Sequence, residues 1–318
     1  MDKSFMQSIS AAVHIQGRTI RYAEVAREDA AVDLLRLGRE TFEADVTKVL
    51  WGDESPEALD DIAAAVGRFF DDSEASVVGL VMHPLDVYSF FTPLPAGLST
   101  EEHDQRVAYQ AALVTNTRSP GALHSVSRPV RTATETETGE AIEWVHVLAV
   151  PQEVEARAST VLDGVAGETT GRILSSEAAA HLMGPPGEGD SESPEGQEGA
   201  YRLAIGQHAG HTEYALTRDG AWHHAHAAQH APTAEDQAYY AVGMLNRIGV
   251  APDEIDRLVT YGTEADAGAD AVLESVFGCV PAALDPFREL RRVWGQPDDE
   301  GPGAYVPSIG GALAVTRA

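Results

Sequence analysis

An alternating run of apolar and polar residues, interrupted by a glycine turn and then resumed, occurs near the start of the chain and again past its middle. The first copy spans residues 12–25 and turns at Gly17; the second spans 203–216 and turns at Gly210. Period-two alternation on both sides of a polar turn predicts a β-hairpin in each place. Glycine at such a turn permits positive φ and lets a ligand or another backbone come close. A hairpin heading each half predicts two similarly built lobes facing a cleft, and clefts between lobes are where ligands bind.

The rest of the pattern alternates strand and helix. A third strand is expected at 32–37. A helix is expected over 55–70, where Ser55 caps, Pro56 suits the first turn, and Leu59, Ile62, Ala63, Val66, Phe69 and Phe70 form an apolar stripe. Strands follow at 76–82 and 87–94, and Ser99-Thr100-Glu101-Glu102 opens a helix to about 114. A strand at 140–150 runs into a helix through 162; a short strand at 173–175 and a short helix at 177–183 complete the first half. Residues 184–199 are rich in Pro, Gly, Ser and Glu and read as a flexible linker. Beyond the second hairpin the pattern predicts a strand at 221–228, a helix over 233–248 capped by Thr233, and a buried strand at 256–261. A helix at 267–277 and a strand at 280–284 come next, and a glycine turn at Gly310-Gly311 leads into a small-residue helix.

Composition narrows the class. The chain has 318 residues, 43% of them hydrophobic, which suits a globular protein of two lobes. No apolar run is long enough to span a membrane, and residues 1–10 lack the basic-then-apolar pattern of a secretory signal. The single cysteine, Cys279, excludes an internal disulfide and fits a reducing cytoplasm. Lys3 and Lys48 are the only lysines, and the formal net charge is −28. That field repels nucleic acid and anionic lipid, so neither is expected as a direct partner, and no direct membrane insertion is expected. Acids spread along the whole chain with almost no lysine suit a cytoplasm holding molar salt, in which the self-repulsion is screened over ~3 Å.

The layout resembles the actin, sugar-kinase and Hsp70 superfamily, and within it the PilM family of type IV pilus assembly, related to FtsA and to the cytoplasmic part of secretion-system L proteins. The resemblance rests on residues 13–25, on Leu94-Pro95 ahead of a Glu-rich helix, on Val147-Leu148-Ala149-Val150-Pro151-Gln152-Glu153-Val154, on Leu284-Asp285-Pro286-Phe287, and on the final Gly-Gly-Ala-Leu-Ala stretch. It implies an α/β, two-lobe actin-like (ribonuclease-H-like) ATPase fold with an inserted small α+β subdomain in the first lobe. The lobes would be 1–183, with the insertion at about 77–163, and 200–318, with the C-terminal helix returning to the first lobe; 184–199 would link them.

The chain departs from the family where phosphate and metal would bind. The first phosphate loop of the superfamily carries Asp-x-Gly, and here His14 and Gln16 stand in those places, leaving Gly17 and Arg21. In the second loop Ala204 stands where an acid is expected, while Gly206 and Thr212 remain; in the adenosine loop Tyr261 replaces the first glycine and Gly262 remains. Phosphoryl transfer depends on a bound Mg²⁺, and the acids that organise it are missing from these positions. The five remaining residues describe a degenerate nucleotide cleft, with no cofactor beyond weak ATP/Mg²⁺ binding, no catalytic residue and no assigned metal. Glu24 or Asp219 would restore the chemistry only if the fold brought either into the cleft. His208, His211, His223, His224, His226 and His230 cluster in sequence, and a pair at i, i+2 is able to bind a transition metal, but they read as polar residues on an exposed strand. Cys279 reads as a packed thiol.

The resemblance implies a non-catalytic cytoplasmic scaffold, peripheral at the inner membrane through a partner. That partner would be the cytoplasmic N-terminal tail of a bitopic inner-membrane protein, lying beside the small subdomain near 87–114; a homodimer is compatible with this. The alternative is an active ATPase or kinase of the same fold.

Overall fold

The computed structural model describes residues 8–28, 31–134, 139–163, 165, 168–183, 199–229, 231–264, 270–288, 290–293 and 300–315. The expected linker, apart from Gly199, and His230 lie outside the described residues.

The first half contains β1 (Ser8–Gln16), β2 (Thr19–Glu28), β3 (Ala31–Thr41), α1 (Val46–Trp51), α2 (Pro56–Phe69) and β4 (Val77–Met82). Then come β5 (Tyr88–Pro95), α3 (Thr100–Val114), β6 (Leu123–Thr134), β7 (Ala141–Pro151), α4 (Gln152–Leu162), β8 (Glu168–Leu174) and α5 (Ser175–Leu182). The second half contains β9 (Tyr201–His208), β10 (His211–Arg218), β11 (Ala221–Gln229), α6 (Ala234–Ile248), β12 (Ile255–Tyr261) and α7 (Asp270–Phe277). The two-residue strands β13 (Ala282–Ala283) and β14 (Arg292–Val293) precede α8 (Val306–Val315).

Both expected hairpins form, and each heads a sheet of the same order. In the first lobe the order is β14-β3-β2-β1-β4-β8, and in the second β11-β10-β9-β12-β13. In each, three antiparallel strands are followed by a parallel neighbour of the first strand, β4 beside β1 and β12 beside β9. Apolar residues of β1 and β4 join α1, α2 and α4 in one core; those of β9 and β12 join α6 and α7 in another. A third core lies between the lobes, where α5 and α8 meet strands from both sheets.

The small subdomain is a three-stranded sheet, β5-β7-β6, covered by α3 through Val107 and Ala111. Its strands run within 88–151. The insertion is therefore tighter than the expected 77–163, because β4 is a central strand of the six-stranded sheet and α4 packs into the first-lobe core. Helix α3 begins with the capping box that its sequence encodes: Ser99 accepts from the Glu102 backbone N–H, and the Glu102 carboxylate accepts from the Ser99 N–H. Strand β6 and the short helix α1 were not expected. In β6 residues 124–129 are all half-buried or exposed, so alternation is weak.

The last helix also differs from expectation. Gly310 and Gly311 are not a turn but lie inside α8. A Cβ at Gly310 would collide with the Ala178 carbonyl of α5, and one at Gly311 with the Val81 side chain. The glycines let α8 lie against both α5 and the first sheet, where the Ser10 hydroxyl donates to the Ala312 carbonyl at 2.7 Å. Every residue of α8 is buried.

Candidate functional site

The hairpin turns of the two lobes meet across the cleft. Gln16, ending β1, donates from Nε2 to His208 Nδ1, ending β9, at 3.1 Å. The orientation of the Gln16 amide is set by its neighbour: Arg21 NH1 donates to Gln16 Oε1 at 2.8 Å, so the nitrogen must face His208. Arg21 also grips Glu300 with two parallel bonds, Nε to Oε2 at 2.9 Å and NH2 to Oε1 at 2.8 Å. Arg39 reaches the same carboxylate at 2.6 Å. Burial by itself would raise the Glu300 pKa, but the bonds and charges of Arg21 and Arg39 hold it below the usual carboxylate value.

Beneath these turns lies a buried polar cluster drawn from both lobes. His14 comes from β1, His83 follows the end of β4, Ser175 opens α5, Glu213 and His211 lie on β10, His208 ends β9 and Tyr261 ends β12. Glu213 is fully buried and His83 and His208 nearly so. Glu213 Oε1 accepts from Tyr261 OH at 2.7 Å and from His208 Nε2 at 3.0 Å; its Oε2 accepts from the Ser175 hydroxyl. His83 Nδ1 lies 3.0 Å from Ser175 Oγ, 3.1 Å from His211 Nε2 and 3.4 Å from Glu213 Oε2. On its other side His83 Nε2 meets His14 Nε2 at 3.1 Å, and His14 Nδ1 has no hydrogen-bond partner among the described residues.

The electrostatics follow from burial and these partners. Burial would raise the Glu213 carboxyl, yet His208 and then His83 beside it hold it well below the usual range. Burial, reinforced by His83 and Arg21, drives the His14 imidazole far down. Burial and then His83 lower His211 to about 3. Burial and the Glu213 charge hold the Tyr261 phenol in its protonated, donating form.

The five nucleotide-cleft residues expected from sequence are only partly brought together. Gly17 sits at the first turn with φ +55° and open space where a Cβ would be. Arg21 is engaged by Glu300 and Gln16. Gly206 pairs with Tyr261 between β9 and β12, and a Cβ there would lie 2.6 Å from the Tyr261 ring and 2.7 Å from Glu213 Cγ. The glycine thus makes room for the cluster. The Thr212 hydroxyl donates to the Ala231 carbonyl at 3.2 Å. Gly262, at φ +105°, donates its N–H to the Gly303 carbonyl at 3.1 Å and borders a cavity of about 360 Å³ lined also by Thr260, Tyr261, Glu300 and Pro302.

Of the acids considered as substitutes, Glu24 pairs with Arg36 at 3.1 Å, and Asp219 occupies the exposed turn after β10, accepting from the Gly199 N–H. Neither joins the cluster. The carboxylate that does, Glu213, is not singled out by the sequence, because β10 is buried continuously from Thr212 to Thr217 and no alternation marks which of its residues meet the cluster. The histidines close in sequence separate in space. His223 accepts from Arg131 of β6 at 2.6 Å, His224 packs on Phe91 of β5 and His226 on Tyr214. His83, remote in sequence, takes their place beside His208 and His211. The Cys279 thiol is half-buried, and burial raises its pKa.

No family model matches the chain, and no curated protein matches it. Among solved structures it is similar to the PilM-PilN type IV pilus biogenesis complex, with a TM-score of 0.67 and 12% identity over 98% of this chain and 98% of that one. A Bacteroides thetaiotaomicron protein with actin-like ATPase fold and unknown function gives a TM-score of 0.48 and 10% identity over 89% and 93%. The cytoplasmic domain of EpsL, an inner-membrane component of the type II secretion system of Vibrio cholerae, gives 0.47 and 12% over 97% and 95%. The chain thus has the two-lobe actin-like ATPase fold, with the small α+β subdomain set into the first lobe. The first of these structures matches this fold from end to end.

Proposed function

We propose that this chain is a non-catalytic scaffold of a type IV pilus or related secretion-type envelope machine, and that it binds the cytoplasmic tail of a bitopic membrane protein. The observation that carries this reading is the closure of the cleft by the chain's own side chains. Of the two arginines at the first phosphate loop, Arg18 lies exposed in the turn, whereas Arg21 is buried and committed to Glu300 and Gln16, and Gln16 in turn bonds His208 of the opposite lobe. A phosphate would have to break these contacts.

Two further features support the docking half of the reading. Tyr109, Leu113 and Val114 of α3 expose more than half of their surface, and Tyr88 of β5 is also exposed. Spaced i, i+4 on one helix, Tyr109 and Leu113 offer an apolar ridge to an incoming segment. The charge of −28 favours a tail carrying Arg or Lys. Among the described residues no helix is long and apolar enough to cross a membrane, so membrane attachment would come through the partner.

The cavity beside Gly262 favours a second reading, an active nucleotide-binding ATPase or kinase. Calorimetry with a non-hydrolysable Mg²⁺-ATP analogue at high salt separates the two, with the double variant His14→Asp, Gln16→Gly as the rescue control. The scaffold reading expects no heat from the natural protein, together with binding of a peptide matching the tail of a single-span membrane protein encoded beside it. Tight nucleotide binding by the natural protein overturns it.

A further inference from the structure

We propose that His83, His211 and Glu213 form a binding site for one divalent transition-metal ion of the Zn²⁺ class, bridging the two lobes at the floor of the cleft. Three observations carry it. The first is the crowding of one atom. An imidazole nitrogen offers a single in-plane lone pair or a single N–H. His83 Nδ1 nevertheless has Ser175 Oγ, His211 Nε2 and Glu213 Oε2 around it at 3.0, 3.1 and 3.4 Å. One hydrogen bond cannot satisfy three neighbours; a cation placed among the nitrogens and the carboxylate oxygen can.

The second observation is spacing. Zinc–nitrogen and zinc–oxygen bonds of about 2.0–2.1 Å in a tetrahedron place neighbouring ligand atoms roughly 3.3–3.4 Å apart. The His83–Glu213 separation is 3.4 Å and the His83–His211 separation is 3.1 Å. Ligand atoms of His83, His208, His211 and Glu213 all fall within 4.8 Å of one another, the one such group among the described residues.

The third is the support around the ligands. Because Arg21 fixes the Gln16 amide, Gln16 donates to His208 Nδ1, which places the His208 proton on Nε2. That N–H and the Tyr261 hydroxyl both fill Glu213 Oε1. His208 is therefore a positioning residue rather than a ligand. It turns the carboxylate so that Oε2 faces His83, as hydrogen-bonded partners orient ligating groups in metal sites. Two imidazoles and one carboxylate select a borderline transition ion over Mg²⁺ or Ca²⁺, which prefer all-oxygen surroundings. The fourth position falls to water or to Ser175 Oγ. The consequence is mechanical: His83 belongs to the first lobe, His211 and Glu213 to the second, and the ion would clamp the cleft shut. This inference is independent of the scaffold reading.

The test uses untagged full-length protein stripped with EDTA. Co²⁺ titration should give the d–d absorption of a four-coordinate site at one ion per chain. Zn²⁺ should displace the ion, a large excess of Mg²⁺ should not, and Zn²⁺ should raise the melting temperature. His211→Ala, at a partly exposed turn position, should fold and bind Co²⁺ at least tenfold more weakly, with no Zn²⁺-dependent rise in melting temperature. His103→Ala, on exposed α3, should behave as the natural protein. Absence of the absorption in the natural protein overturns the proposal. So does unchanged affinity in a folded His211→Ala, or a loss of equal size in His103→Ala. If His211→Ala does not fold, His211→Gln provides the same comparison.

Discussion

The two hairpins that head the lobes are built alike and loaded differently. Each has a glycine turn of positive φ, Gly17 at +55° and Gly210 at +87°, with open space beyond. The first carries a cation at its base, Arg21, whose partner Glu300 lies near the surface. The second carries an anion, Glu213, at full burial among two histidines, a serine and a tyrosine. The same backbone therefore serves as an ion-paired closure on one side and as a buried polar core on the other. Depth decides the energetic weight, because a charge far from water depends wholly on its protein partners.

The sharpest way to break the comparison is to delete each charge. Glu213→Ala strands His208, His83 and Tyr261 in a dry interior and is expected to cost about 3–5 kcal/mol in chemical denaturation. Arg21→Met leaves Glu300 partly solvated, and a loss of roughly 1–3 kcal/mol is expected. Equal losses would mean that burial is not what distinguishes the two hairpins.

Acid should act next. His146, in the small sheet, is lowered to about 3 by burial first and then by Arg128 and His224. Its folded pKa lies below the unfolded value of about 6.5, so the unfolded chain takes up the proton first as pH falls. The stability due to the neutral imidazole is complete above pH ~6.5 and is lost progressively towards pH ~3, on the order of 2 kcal/mol by pH 5. His223 and His224, both lowered to about 4 chiefly by burial, act in the same direction. Melting temperature against pH should fall less steeply in His146→Gln than in the natural protein. Parallel curves would remove His146 from the account.

At the turns themselves, Gly17→Ala and Gly210→Ala should each cost about 1–2 kcal/mol through the left-handed backbone alone, since no neighbour is met. Unequal costs would reveal a functional constraint at the more sensitive turn. Smallest of all, Tyr109→Ser combined with Leu113→Ser should change stability by less than about 0.5 kcal/mol per site while weakening tail-peptide binding. Surface plasmon resonance with the tail peptide, set beside a thermal melt, checks both halves.

Much of the fold was legible in the order of residues. Alternation gave the hairpins, Ser99 and Glu102 gave the start of α3, and Thr233 and Gly249 the ends of α6, because these signals act over a few residues of chain. Strand β6 escaped because its half-exposed residues blur the alternation, and Gly310-Gly311 read as a turn because only the arrival of α5 explains a glycine pair within a helix. At the site, it was visible that His14 and Ala204 stand where the resemblance implies acids. What filled the cleft instead was not. His14, His83 and Ser175 come from separate places in the first lobe, His211 and Glu213 from β10 of the second, and their meeting depends on how the two lobes are set together. The sequence by itself determined two like lobes, since the hairpins that head them are properties of local pattern. Only the tertiary structure decided that Glu213 is the buried carboxylate and His83 its partner, because a long-range contact is fixed by packing between lobes and leaves no mark in the spacing of either residue.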